Sequence, residues 1–168
     1  MSQHPVEVLF DRARSIDEHV GSMSGTRERA VAGVTSGLIG EGGEVTWEAR
    51  HFGLRMRLSS RVTEFAYPTR FVDEQVAGPF GAFRHEHEFS PAPVSSASDD
   101  SATADSPVLD PAAMLDPAAM GGTGGGSMMI DRVEFRAPFG PLGLIAERVV
   151  LRRYLRRLIE ERGRYLAA

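Results

Sequence analysis

The chain has 168 residues, 42% of them hydrophobic, with a formal net charge of −4, which fits one globular domain large enough for an internal cavity and excludes general affinity for nucleic acid. There is no cysteine, so disulfides, thiolate metal ligation and cysteine catalysis are excluded. No apolar run reaches the ~18 residues needed to cross a bilayer and no secretory pattern opens the chain, so a soluble, cytoplasmic protein without a membrane span is expected.

Pro5 to Arg14 places Val6, Leu9, Phe10 and Ala13 on one helical face, with Pro5 suited to a first-turn position. A second short helix is expected over Ser15 to Met23, capped by Ser15 with Asp17 and Glu18 in its first turn. From Arg29 the period changes to two. Val31 to Ile39 is β-branched with interspersed glycines, and Glu41-Gly42-Gly43 turns into a strand from Glu44 to His51. If Phe52-Gly53 is the hairpin loop, Trp47 faces Leu58, Ala49 faces Met56, Glu48 faces Arg57 and Glu44 faces Arg61, giving one apolar and one ion-paired face. The third strand, Leu54 to Phe65, ends in a proline turn at Pro68. Phe71 to Ala77 and Ala82 to Phe89 form a further hairpin through Gly78-Pro79-Phe80-Gly81.

The pattern then breaks. Residues 90–127 carry prolines at 91, 93, 107, 111 and 117, five aspartates, no basic residue and a six-residue glycine-rich run, and read as a disordered acidic loop inserted in a β-hairpin. Within it Leu109-Asp110-Pro111-Ala112-Ala113-Met114 is repeated at once as Leu115-Asp116-Pro117-Ala118-Ala119-Met120, the mark of a tolerated insertion. The glycine run has no Gly-Lys-Ser/Thr ending and is not read as a phosphate loop. Met128 to Ala137 resumes period two as a sixth strand. Gly140 to Leu166 follows as one long amphipathic helix, with Leu142, Ile145, Val149, Leu155, Leu158 and Ile159 in the apolar stripe. Arginines 148, 152, 153, 156, 157, 162 and 164 form a solvated cationic face. At ~1.5 Å per residue the helix would span roughly 39 Å, a match for the width of a curved sheet.

Helices, consecutive antiparallel strands and a long terminal helix make an α+β arrangement in which one sheet wraps one helix. The segments Val45 to Gly53, Arg70 to Gln75 with Gly78-Pro79-Phe80, Phe83-Arg84-His85-Glu86-His87-Glu88-Phe89 and Pro138 to Gly143 closely resemble the bacterial SRPBCC (START/polyketide-cyclase-like) ligand-binding proteins. The resemblance covers nearly everything outside the acidic loop. It implies a helix-grip fold, an antiparallel curved β-sheet wrapped around a long C-terminal α-helix, with a hydrophobic cavity between the two. Members of this superfamily begin with a β-strand before the first helix, whereas only Met1 to His4 precedes Pro5. Either the start is assigned late or the sheet lacks that first strand, and a missing strand would leave a sheet edge beside Met128 to Ala137 open to a homodimer or to aggregation.

Parity puts Phe71, Asp73, Gln75, Ala77, Phe83, His85, His87 and Phe89 on one face of the fourth and fifth strands. A turn symmetric about Phe80 would pair Phe71 with Phe89, Asp73 with His87, Gln75 with His85 and Ala77 with Phe83. Glu74, Arg84, Glu86 and Glu88 fall on the opposite, solvent face. The cluster of Asp73, Gln75, His85 and His87 admits several uses. The four can satisfy one another's hydrogen bonds in a cavity wall. They can orient a bound guest. As in the cyclase branch, His87, His85 and Asp73 can act as catalytic acid–base groups, Asp73 orienting His87. His85-x-His87 with Asp73 also offers three metal ligands, but no fourth is evident, so neither a metal nor a cofactor is expected. His51, near a hairpin turn, is expected to be exposed. In a helix-grip fold Trp47, Met56 and Leu58, with Leu142, Ile145 and Val149 of the helix, would line the cavity beside Phe71, Phe83 and Phe89. The chain thus reads as a container for a hydrophobic or aromatic small molecule, the alternatives being a polyketide cyclase/aromatase-type enzyme and a protein-interaction module.

Overall fold

The computed structural model describes residues 1–51, 53–93, 126–136 and 151–168. Two short helices, α1 (Val6–Ala13) and α2 (Ile16–Ser22), lead through a 3-10 turn into six strands: β1 (Arg29–Gly33), β2 (Glu44–His51), β3 (Leu54–Ala66), β4 (Arg70–Ala77), β5 (Ala82–Pro91) and β6 (Ser127–Arg136). Helix α3 (Arg152–Ala167) closes the chain. The strands pair in sequence order as one antiparallel meander. Register shifts within β3, at Ser59/Ser60 and between Val62 and Glu64, bend that strand and curve the sheet.

The β2–β3 register is the expected one, with Trp47 opposite Leu58, Ala49 opposite Met56, Glu48 opposite Arg57 and Glu44 opposite Arg61. Val45, Trp47 and Ala49 are buried on the concave side. On the convex side Glu48 is overlain by Arg29, Arg55 and Arg57, whose own side chains stay exposed. Glu64, Arg70, Arg84 and Glu86 continue the ion pairing across β3, β4 and β5. The first strand is shorter than the β-branched pattern suggests: Gly33, at φ +74°, ends it. A Cβ there would lie 2.2 Å from the Glu44 carbonyl oxygen, so only glycine allows this approach.

The β4–β5 register differs from the expected one by two residues. Phe71 faces His87, Asp73 faces His85 and Glu74 faces Arg84. The loop is asymmetric because the Gln75 amide closes it, donating from Nε2 to the Phe80 carbonyl at 2.8 Å and accepting from the Phe80 amide at 3.3 Å. A shift of two keeps parity, so every side chain stays on its expected face. The strands also run further than expected into the insertion. Ser90 and Pro91 belong to β5, Pro91 pairing with Ser127. Residues 94–125 of the acidic loop, with the tandem repeat, and the first part of the long helix, with Leu142, Ile145 and Val149, lie outside the described residues.

The β6 edge is not wholly open. Ser2 and Ser127 exchange both backbone hydrogen bonds, at 2.8 and 2.9 Å, so a single bridge stands where a first strand would pair. Apolar contacts gather in two places. Phe10, fully buried, meets the rings of Phe65, Tyr67, Phe71 and Phe89 at centroid distances of 5.0–5.4 Å, with Leu9, Ala13 and Leu166 beside it. Ile16, Ile39, Val45, Trp47 and Val62 form the second cluster. Both α1 and α2 contact α3, which holds that helix over the sheet.

Candidate functional site

Between the concave face and α3 lies a cavity of about 330 Å3. Of the expected lining residues, Trp47, Met56, Leu58, Phe71, Asp73, Phe83, His85 and His87 border it, and Leu155, Leu158 and Ile159 of α3 face them. Gln75 and Phe89 do not. Gln75 is spent on the β4–β5 turn, and Phe89 packs on Phe10 in the α1 core.

The polar groups of β4, β5 and β6 converge on two histidines. His87, 1% exposed, stacks on Phe71 with ring centroids 4.2 Å apart and lies 3.9 Å from the ring of His85. Its Nδ1 donates to Asp131 Oδ1 at 2.6 Å, and His85 Nε2 donates to the same oxygen at 3.1 Å. On the other side Asp73 Oδ1 is 3.4 Å from His87 Nε2 and 3.9 Å from His85 Nδ1. Asp131, not Asp73, is therefore the close orienting partner of His87, because β6 sets Asp131 directly across from it. Burial pushes the His85 imidazole down to about 4, helped by the neighbouring His87 and opposed by the carboxylates. Burial alone would raise Asp131 and Asp73, but hydrogen bonds and charge from the histidines hold both below the usual aspartate range.

Sequence reasoning passed over Asp131. Its signal lay in the β6 alternation: Met129, Val133 and Phe135 face inward with it, while Ile130, Arg132, Glu134 and Arg136 are exposed. One acid in an otherwise apolar register needs a buried partner.

A second polar group lines the cavity near α2, β2 and α3. His19 stacks on Trp47 at 4.1 Å, and its Nε2 lies 3.5 Å from Glu28 Oε1. Burial acts to raise the Glu28 carboxyl, yet His19, His51 and Arg162 together bring it below its usual range. His51 is not exposed as expected. Its Nδ1 lies 2.7 Å from the Tyr154 hydroxyl, and burial lowers its proton affinity. Arg162 also departs from the solvated face, being only 4% exposed and bordering the cavity. It donates from Nη2 to the Ala13 carbonyl at 2.6 Å, at the end of α1, and its Nε has no hydrogen-bond partner among the described residues. Its charge acts on both Glu28 and Asp73, linking the two polar groups.

No family model matches the chain, and no curated protein matches it. Solved structures do. A Thermus thermophilus protein, TTHA0849, aligns over 98% of this chain and 91% of its own at a TM-score of 0.61 and 12% identity. Ara h 8.0201 aligns over the same shares at a TM-score of 0.53 and 11% identity. These likenesses establish the helix-grip fold. No helix among the described residues is long and apolar enough to cross a membrane.

Proposed function

We infer that the protein is an SRPBCC-type container that binds a hydrophobic or aromatic small molecule, lipid- or polyketide-like, between sheet and C-terminal helix. The cavity of about 330 Å3 carries this reading, since its walls are mostly apolar and aromatic, with polar side chains gathered at its sides. Trp47, Met56, Leu58, Phe71 and Phe83 supply the apolar contact. Asp73, His85 and His87 supply a polar anchor at one side, and Arg162 another.

A second reading, a polyketide cyclase/aromatase-type enzyme, is favoured by one observation: His87 is held between two carboxylates, Asp131 and Asp73, the arrangement a proton shuttle needs. Native mass spectrometry of the protein purified from its own host, beside a Trp47→Ala/Phe71→Ala variant, tests the container. A small molecule carried by the parent and lost from the variant supports it. An empty parent that also fails to quench Trp47 fluorescence with any lipid or polyketide tried refutes it.

A further inference from the structure

The hydrogen bonds around His85 and His87 leave a specific deficit. Asp131 is an acceptor, so the nitrogens turned towards it, His85 Nε2 and His87 Nδ1, carry the ring hydrogens. When both rings are neutral, the remaining nitrogens, His85 Nδ1 and His87 Nε2, bear lone pairs. Both lie within 4 Å of Asp73 Oδ1, itself an acceptor. Three acceptors thus converge with no hydrogen among them. Such an arrangement is favourable when a cation occupies the middle.

We propose that Asp73, His85 and His87 form a binding site for one divalent transition-metal ion of the zinc or iron type, with Asp131 as the carboxylate that orients both histidines. The donor atoms of these three residues all lie within 4.8 Å of one another. Ligands at ~2.0–2.1 Å from a tetrahedral metal stand about 3.3 Å apart, so the 3.4 Å separation between His87 Nε2 and Asp73 Oδ1 already matches, and the 3.9 Å one to His85 Nδ1 has to shorten on binding. Two imidazoles and one carboxylate suit zinc or ferrous iron better than magnesium or calcium, which prefer oxygen donors. A carboxylate behind a ligating histidine is the usual outer partner of such sites, fixing which nitrogen faces the metal. Here one oxygen of Asp131 does this for both rings. The expected fourth ligand is not a protein side chain: all three donors border the cavity, so the metal's free positions open onto it. That is the pattern of a site that takes water or a guest's oxygen, whereas structural sites are closed by four side chains.

The test uses the full chain, stripped with a chelator and titrated with Zn2+ by calorimetry and with Co2+ by visible absorption. One equivalent of either ion is expected, the Co2+ form showing the d–d bands of a low-coordinate nitrogen–oxygen site. Asp131→Asn should weaken Zn2+ about 10–100-fold with the stoichiometry kept. His87→Ala and Asp73→Asn should abolish the Co2+ bands. His4→Gln, which changes a histidine bonded to Arg12 outside the cavity, should leave both titrations unchanged. Circular dichroism identifies any variant that fails to fold. If His87→Ala is lost in this way, the near-isosteric Asp131→Asn and Asp73→Asn carry the test. A parent that binds no Zn2+, which would mean that a proton on His87 alone answers Asp73, overturns the proposal. Equal affinity in the parent and the Asp73→Asn and Asp131→Asn variants also overturns it. Neither result bears on apolar ligand binding, which the mass-spectrometric experiment reads separately.

Discussion

Replacing Arg162 with methionine keeps the unbranched stem and deletes the guanidinium, which makes it a direct test of why a charge is buried beside the cavity. The guanidinium supplies one charged hydrogen bond, from Nη2 to the Ala13 carbonyl at 2.6 Å, and Ala13 is 3% exposed, so water cannot replace it. A hydrogen bond to a charged group contributes about 1.5–3 kcal/mol. The interaction of the cation with the C-terminal end of α1 is part of that same contact and is not added to it. Against this stands the cost of burying the charge, including a partnerless Nε, which an apolar side chain would relieve. Glu28 and Asp73 oppose that relief: both carboxylates are held below their usual range chiefly by the neighbouring histidines, with a smaller attraction from Arg162. Without it both lose attraction in a buried setting, so relief is offset and the hydrogen-bond loss remains. The expected destabilisation is about 1.5–3 kcal/mol, or roughly 3–12 °C in Tm for a chain of this size. Urea unfolding near neutral pH, followed by the single tryptophan, Trp47, measures it. An Arg162→Met protein as stable as the parent, or more stable, would show that Arg162 is tolerated at a cost and refute the assignment of a structural role.

Phe10→Ala should cost about 3–5 kcal/mol, because it empties the meeting point of four rings on β3, the β3–β4 turn, β4 and β5; a loss below 1 kcal/mol in denaturant unfolding would mean that the aromatic cluster is not a unit. Acid unfolding should report the convex ion pairs. Glu48 and Glu86 are each lowered from 4.5 to about 2, chiefly by hydrogen bonds from Arg29 and Arg57 and from Arg70 and Arg84 respectively. Between these values the unfolded chain binds more protons than the folded one, so their stabilisation is complete above pH 4.5 and disappears as pH falls towards 2. Glu48→Gln should flatten the stability–pH curve in that window, and an unchanged slope would refute the assignment. Gly33→Ala should detach β1 from β2, read as faster amide exchange at Val34 and Val45 with the centre of the sheet still protected.

The meander, the two short helices and five of the six strand spans were legible because period-two alternation is local and survives tertiary folding. The β2–β3 register was legible too, since the Phe52-Gly53 loop leaves one pairing that puts Trp47 and Ala49 on the same side as Leu58 and Met56. The β4–β5 register was not. It is set by Gln75 reaching Phe80, a side-chain contact that no turn rule for Gly78 to Gly81 contains. Parity still placed Asp73, His85 and His87 together, because an error of two leaves faces unchanged. Asp131 and Glu28 escaped for a different reason: their partners come from other strands and from α2, and such contacts have no spacing in the sequence. Arg162 escaped because an arginine among six others on one helix reads as solvated, whereas its guanidinium reaches the Ala13 carbonyl at the end of α1.

Whether the apolar residues of the concave face line a cavity or fill a core is the question parity leaves open, and a small-to-large change decides it. Ala49 is 6% exposed, sits opposite Met56 and borders the cavity. In a close-packed interior the added isobutyl volume of Ala49→Leu forces side chains off their rotamers and costs about 1–3 kcal/mol. Facing open space of about 330 Å3, the same side chain covers apolar surface and should leave stability unchanged or raise it. It should also occupy room that a guest would use. Stability and affinity are therefore expected to move apart: unfolding midpoints equal to or above the parent's, with weaker binding of an apolar fluorescent probe read through Trp47 quenching. A variant that loses about 1 kcal/mol or more while binding the probe as the parent does would mean that the concave face is packed at Ala49. The guest site would then have to be sought elsewhere on the molecule.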